Sequence, residues 1–200
     1  MLRRPGATLA LPLAAGLAFL SLQAQADYAV EGANLEAEKA RIVAAQQAWG
    51  DALLAISAAN RDQGVDAARD LAVEVIDSAY AYGFGPVLFK PTLTSGEQTF
   101  RTSREGAIAY FVGGDSAFPD DSGFALKDWV SFSIDNAAMW ISDGKALTMG
   151  HVHLTDGGGN VTTVEKTWGF KVDEQGDLRI VLHHSSLPAE LERSPGSGRI

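Results

Sequence analysis

"ALTMGHVHLTDGGGNVTTVEKTWGFKVDEQGDLRIVLHHSS", residues 146–186, reads as three strands joined by two turns. Apolar and polar residues alternate over Ala146 to Thr155, Val161 to Val172 and Leu178 to Ser186, the period of a strand with one buried face. The interruptions "DGGGN" and "DEQGD" are short and carry glycine, so neighbouring strands pair antiparallel as a meander. The run Gly157 to Gly159 is a hairpin turn and not a phosphate loop, because no helix follows it.

Further strands are predicted upstream at Trp129 to Ile134 and Ala138 to Ser142, linked to the first block by the turn "SDGK". Before them the period changes. Residues Leu35 to Asn60 are alanine-rich, with Ile42, Ala45, Trp49, Leu53 and Ile56 at helical spacing. A second helix, "DAARDLAVEVIDSAYA", is expected to be capped by Asp66 and to present Ala67, Leu71, Val75 and Ala79 as its stripe. Glycines and prolines break the pattern in "YGFGPVLFKPTLT". A short helix then follows in "SREGAIAYFVGG", capped by Ser103 and stopped by Gly113 and Gly114. Helices followed by an antiparallel run predict an α+β fold, with the helices on one face of the sheet; strong curvature would enclose a pocket.

Residues 1–26 read as a signal peptide. Arg3 and Arg4 precede the apolar run Leu9 to Leu22, and Ala24-Gln25-Ala26 fits a small-residue cleavage site. The apolar run falls short of the roughly 20 residues that cross a bilayer, so an exported, periplasmic mature protein starting near Asp27 is expected, with no membrane association after the leader is removed. One domain over residues 27–190 and a polar tail over 191–200 account for the rest. Loss of the two arginines takes the formal charge from −9 to −11, which disfavours nucleic acid as a partner. With no cysteine, the chain forms no disulfide, thiolate metal site or cysteine nucleophile.

The chemistry-bearing residues cluster near the chain's end. Alternation sends Arg179, Val181, His183 and Ser185 to one face of the last strand and Ile180, Leu182, His184 and Ser186 to the other. The adjacent histidines therefore point apart, and the strand aims a histidine and a serine together, either His183 with Ser185 or His184 with Ser186. His151 and His153 share a strand face and could supply two imidazoles to zinc or manganese, but a third ligand is not evident. A G-x-S-x-G elbow is absent, so neither serine has local support as an acyl-transfer nucleophile. Asp120 and Asp121 read as solvated loop acids.

The segments "VLFKPTLT", "FRTSREGAIAYFVGG", "FPDDSGFALKDW", "ALTMG" and "WGFKVDEQGDLRIVLHHSSLP" together resemble the iota-class carbonic anhydrases. That domain is similar to the association domain of calmodulin-dependent kinase II and to the NTF2-like and SnoaL-like group. The resemblance runs from about Leu35 to Pro188. It implies a cone-shaped, curved antiparallel sheet packed against N-terminal helices, commonly a homodimer, that interconverts carbon dioxide and bicarbonate. It also implies that Thr92, Tyr110, His183 and Ser185 are the catalytic and bicarbonate-holding residues, with His184 and Ser186 as the alternative pair. Metal-free catalysis is the expectation, with zinc or manganese as the other route. Under this reading the hydroxyls orient water and product, and His183, with an ordinary pKa of about 6.5, accepts or relays the proton.

Two rival readings share the fold. An isomerase or cyclase would need a deep pocket and an inward, desolvated carboxylate, for which Glu165 is the chief candidate. A non-catalytic binding or assembly module would need neither, since function resides in the site and not in the scaffold.

Overall fold

The computed structural model describes residues 14–189, with side chains from residue 34 onward. The side chains of the expected leader and all of the expected tail, 191–200, lie outside the described residues. The chain divides into two units, Met1–Glu38 and Lys39–Ile200. Helix α1 (Ala14–Gln63) supplies the helical part of the first, where none of the described helices is long and apolar enough to cross a membrane. The second unit is an α+β domain, as expected.

Its five-stranded sheet has the order β1-β5-β4-β3-β2, with β1 (Leu88–Lys90), β2 (Trp129–Ser142), β3 (Lys145–Asp156), β4 (Val161–Val172) and β5 (Leu178–Ser186). Strands β2 to β5 form the predicted antiparallel meander. Helices α2 (Val65–Ala79) and α3 (Arg104–Val112), with α1 from Lys39 onward, share one buried cluster with the sheet. Ile42, Trp49, Leu53 and Ile56 of α1 enter that cluster, together with Val152, Leu154, Val164, Trp168 and Phe170 of the core face. Gly50 lets helix and sheet approach, since a Cβ there would lie 2.1 Å from the Phe132 ring. Ser103 caps α3 by accepting from the Gly106 amide, and Gly113 ends it at φ 61°.

Several expectations are corrected. Residues 129–142 form one strand and not two, because a bulge between Asn136 and Ala138 absorbs the break in period and keeps Ala138 paired with Met149. The glycine-proline segment holds β1, a parallel edge strand pairing Leu88 with Leu182 and Lys90 with His184. Three residues are too few to show a period, so only the ladder to β5 reveals it. Gly64 occupies the N-cap of α2, and Asp66 lies in the first turn. The buried stripe of α2 is Ala68, Ala72 and Ile76, one position on from the predicted one; Leu71, Val75 and Ala79 flank it.

Candidate active site

Strand β5 carries the site, and a bulge sets which side chains face inward. Ile180 pairs with Phe170 and Leu182 with Gly169, leaving Val181 as the extra residue. Simple alternation fails there: Ile180, His183 and Ser185 all lie on the core face, whereas Arg179 and Val181 are only half-buried. His183 is 2 % and Ser185 1 % exposed, so this is the pair that faces inward. His184 is exposed, and Ser186 donates to Glu165 Oε2 (3.2 Å) on the opposite face.

The parallel strand β1 brings in the second hydroxyl. Just beyond it, after Pro91, Thr92 Oγ1 donates to Ser185 Oγ at 2.7 Å. Lys90 Nζ donates to the Ser185 carbonyl (3.0 Å), which ties the same two segments together. Tyr110 enters from α3, its ring stacked on Phe124 and edge-on to Phe89, which in turn lies 4.4 Å from the His183 ring. Burial raises the Tyr110 phenol well above its ordinary pKa, partly opposed by the nearby Thr92 hydroxyl. The Tyr110 hydroxyl is therefore a neutral donor, and it is buried without a hydrogen-bond partner of normal geometry.

His183 is held by a relay that the sequence did not show. Trp49 Nε1 donates to Tyr80 Oη (3.0 Å), and Tyr80 Oη lies 2.8 Å from His183 Nδ1. An indole N–H only donates, so Tyr80 spends a lone pair on Trp49 and directs its own proton to Nδ1, its remaining partner. Neutral His183 consequently carries its proton on Nε2. Burial above all holds its pKa well below the usual histidine value, and a positive charge on neighbouring Lys166 would push it lower still. At neutral pH the ring is a neutral Nε2–H donor, which differs from the expected neutral-range proton acceptor.

Lys166 and Arg101 are also new. Lys166 is 4 % exposed on the core face, with Nζ 3.8 Å above the centre of the Trp49 ring. Arg101 Nη2 donates to both carboxylate oxygens of Asp121 (3.0 Å to each), so Asp121 is a buried ion-pair partner and not a solvated loop acid. Its charged partner lies 20 residues away, beyond any local pattern. His151 and His153, the alternative metal pair, are engaged elsewhere or apart. His153 Nε2 lies 3.3 Å from Asp135, its Nδ1 is 2.8 Å from Thr163, and its ring centre is 6.1 Å from that of His151. Among the described residues, no group of three histidines, cysteines, aspartates or glutamates could hold a metal ion.

The space beside Tyr110 is a cavity of about 30 Å³ bounded by Leu93, Asp121 and Phe124. That is close to the volume one water molecule occupies in the liquid. Two larger clefts lie away from the hydroxyls: about 420 Å³ beside Phe84 and Arg179, and about 430 Å³ on the outer sheet face beside His151 and His184. Glu165 is exposed, so the desolvated carboxylate required by an isomerase is missing at that position.

A family model described as metal-independent carbonic anhydrase matches residues 40–187. The chain is 55% identical over 157 residues to a metal-independent carbonic anhydrase of Nostoc sp. (strain PCC 7120 / SAG 25.82 / UTEX 2576), covering 78% of this chain and 77% of that one. Among solved structures it is similar to the iota-carbonic anhydrase from a cyanobacterium complexed with bicarbonate, with 56% identity, a TM-score of 0.75, and coverage of 76% of this chain and 93% of the other. A more distant likeness joins it to an NTF2-like superfamily protein from Salmonella enterica subsp. enterica serovar Typhimurium str. LT2, at 14% identity, TM-score 0.42, and 78% and 99% coverage. With the match spanning the helices, the K-P-T segment and the H-H-S-S strand together, the chain belongs to the metal-independent carbonic anhydrase family.

Proposed function

We infer that this protein hydrates carbon dioxide reversibly to bicarbonate and a proton, without a metal. The observation that carries the reading is the hydroxyl pair of half-buried Thr92 and buried Ser185 beside a tautomer-fixed His183, in a chain of this family. Carbon dioxide is small and apolar and gains little from tight binding. Catalysis therefore rests on positioning a water and stabilising the charge that grows on the product oxygens.

The groups suit that task. Tyr110, kept neutral by burial, and the Thr92–Ser185 pair offer hydroxyls that donate to or accept from an oxygen ligand. The Nε2–H of His183 adds a donor fixed by the Tyr80 relay. As the water oxygen bonds to carbon, one C=O bond opens, its electron pair becomes the developing oxyanion, and the water gives up a proton. Donors arranged before the reaction stabilise that oxyanion without reorganising. The reading is tested by stopped-flow carbon dioxide hydration before and after exhaustive chelation, with bound metal quantified. Activity unchanged by chelation is expected; activity lost and restored with metal would overturn it.

The active species is an exported homodimer in this reading. The charge and apolar pattern of residues 1–26 supports export, and N-terminal sequencing of secreted protein should start near Asp27. A second copy is supported by the outer sheet face, where Trp140 pairs with Leu147 and the neighbouring Met149 is exposed. Asp135, Glu165 and His151 lie beside these residues and give that face both carboxylates and imidazole for a self-complementary contact.

A further inference from the structure

Hydration releases a proton, and the usual candidate acceptor is disqualified. His183 has its Nδ1 occupied by Tyr80 and carries its proton on Nε2. The site therefore needs another basic group within the same enclosure.

Lys166 meets that need by position. In the β4–β5 register it is the cross-strand partner of Ser185, and both side chains lie on the core face. Its amine rests over Trp49, 5.1 Å from the Trp168 ring centre. Among the described residues no carboxylate lies within ion-pair distance of it. A buried lysine without a counter-ion is costly as a cation and is stabilised once an anion arrives.

We propose that Lys166 stores the proton released in hydration: its neutral amine accepts the proton as bicarbonate forms, and the resulting ammonium balances the bicarbonate charge until both leave. The step is CO2 + H2O + R–NH2 → HCO3− + R–NH3+, in which the amine lone pair takes the water proton. Departure of bicarbonate returns that proton to solvent and restores the amine. In the dehydration direction the same ammonium supplies the proton. The proposal rests on the carbonic anhydrase reading and adds to it the destination of the proton.

The surroundings agree with this assignment. Burial holds the Lys166 amine well below the ordinary lysine pKa. The core-face neighbours Thr148 and Trp168 of the sheet, and Trp49 and Gln46 of α1, do not titrate in the working range. His183 and Tyr80 are the ionisable groups on that side, Lys90 of β1 borders Ser185, and Tyr110 of α3 borders Thr92. Of these, His183 lies near enough that a positive charge on Lys166 disfavours one on its imidazole. Glu165 and His184 lie on the outer face.

The test measures bicarbonate binding to the wild-type protein by calorimetry in two buffers of different ionisation enthalpy at pH 8. Uptake of about one proton per bicarbonate is expected, because binding favours the charged amine. Lys166→Met should abolish that uptake, lower kcat about 10²-fold with a smaller change in KM, and flatten the pH–rate profile. Lys166→Arg keeps a cation that cannot deprotonate and should share the kcat loss. Near-UV circular dichroism of Trp49 and Trp168 checks that the variants keep the core. Wild-type binding without proton uptake, K166M with unchanged uptake or kcat, or K166R with wild-type kcat would each overturn the assignment while the hydration reading stands. A wild-type protein that neither binds bicarbonate nor hydrates carbon dioxide overturns both.

Discussion

At the scale of single residues, the site depends on hydroxyls held by other polar groups. Ser185→Ala and Thr92→Val each remove one member of a 2.7 Å pair and should lower kcat by about 10- to 10²-fold, checked by stopped-flow hydration on protein with unchanged circular dichroism. Tyr80→Phe strips the donor from His183 Nδ1 and the acceptor from Trp49 Nε1. Leaving such buried groups unsatisfied costs about 1–3 kcal/mol, and the freed imidazole can shift its proton from Nε2 to Nδ1. A lower thermal midpoint with a disproportionate loss of kcat is the expected result. His183 also makes stability depend on pH. Its folded pKa is depressed, so between about pH 6.5 and that lower value the unfolded chain binds a proton that the native core refuses. Stability should fall as pH drops below about 6.5, with a slope of at most about 1.36 kcal/mol per pH unit from this group. Denaturant titrations of wild type and His183→Gln from pH 7.5 to 5 should show the variant with the flatter acid limb.

At the scale of elements, each site residue arrives on a piece of structure fixed by something else. Strand β1 carries Thr92 to Ser185, and α3 carries Tyr110 to Phe89. The loop after α3 is held by the Arg101–Asp121 pair, with side chains 3% and 6% exposed. Arg101 also lies 4.8 Å from the Phe118 ring centre, so the pair anchors both ends of the segment that frames Tyr110. Asp121→Asn would leave a buried guanidinium without its counter-charge, a change that typically costs about 3–5 kcal/mol. The expected outcome is a marked drop in unfolding free energy, read by urea titration. Across β2 and β3, the close pairing depends on Gly150, because a Cβ there would fall 2.0 Å from the Asp135 carbonyl oxygen. The bulge and the glycine face each other and act as one device.

At the scale of the whole molecule, the outer sheet face exposes large apolar side chains that the described residues leave uncovered. Trp140 and Met149 are 57% and 60% exposed, and Leu147 between them is 47% exposed. Large contiguous apolar patches of this kind mark association surfaces. Trp140→Glu should convert the proposed dimer to monomer in sedimentation velocity runs while leaving the hydroxyl pair on the other face intact. A wild-type monomer at all concentrations would count against the dimer. The acidic net charge opposes non-specific association at that patch and does not hinder a neutral substrate such as carbon dioxide.

The sequence by itself determined the α+β class, an antiparallel meander ending in the H-H-S-S strand, the core stripe of α1 and the capped helix α3, and its family resemblance supplied the candidates Thr92, Tyr110, His183 and Ser185, with His184 and Ser186 as the alternative pair. These follow from local period, from turn and cap chemistry, and from motifs that resemble a known family. Only the tertiary structure decided that Val181 is bulged, that β1 lies parallel to β5, and that His183 and Ser185 face inward. A bulge shifts the face of a side chain without changing composition, so alternation alone cannot reveal it. The Trp49–Tyr80–His183 relay joins residues 31 and 103 positions apart. Lys166 acquires its meaning only when Trp49 from α1 closes over its amine. Local pattern determines which element a residue joins, whereas protonation state depends on burial and on partners that only folding brings together.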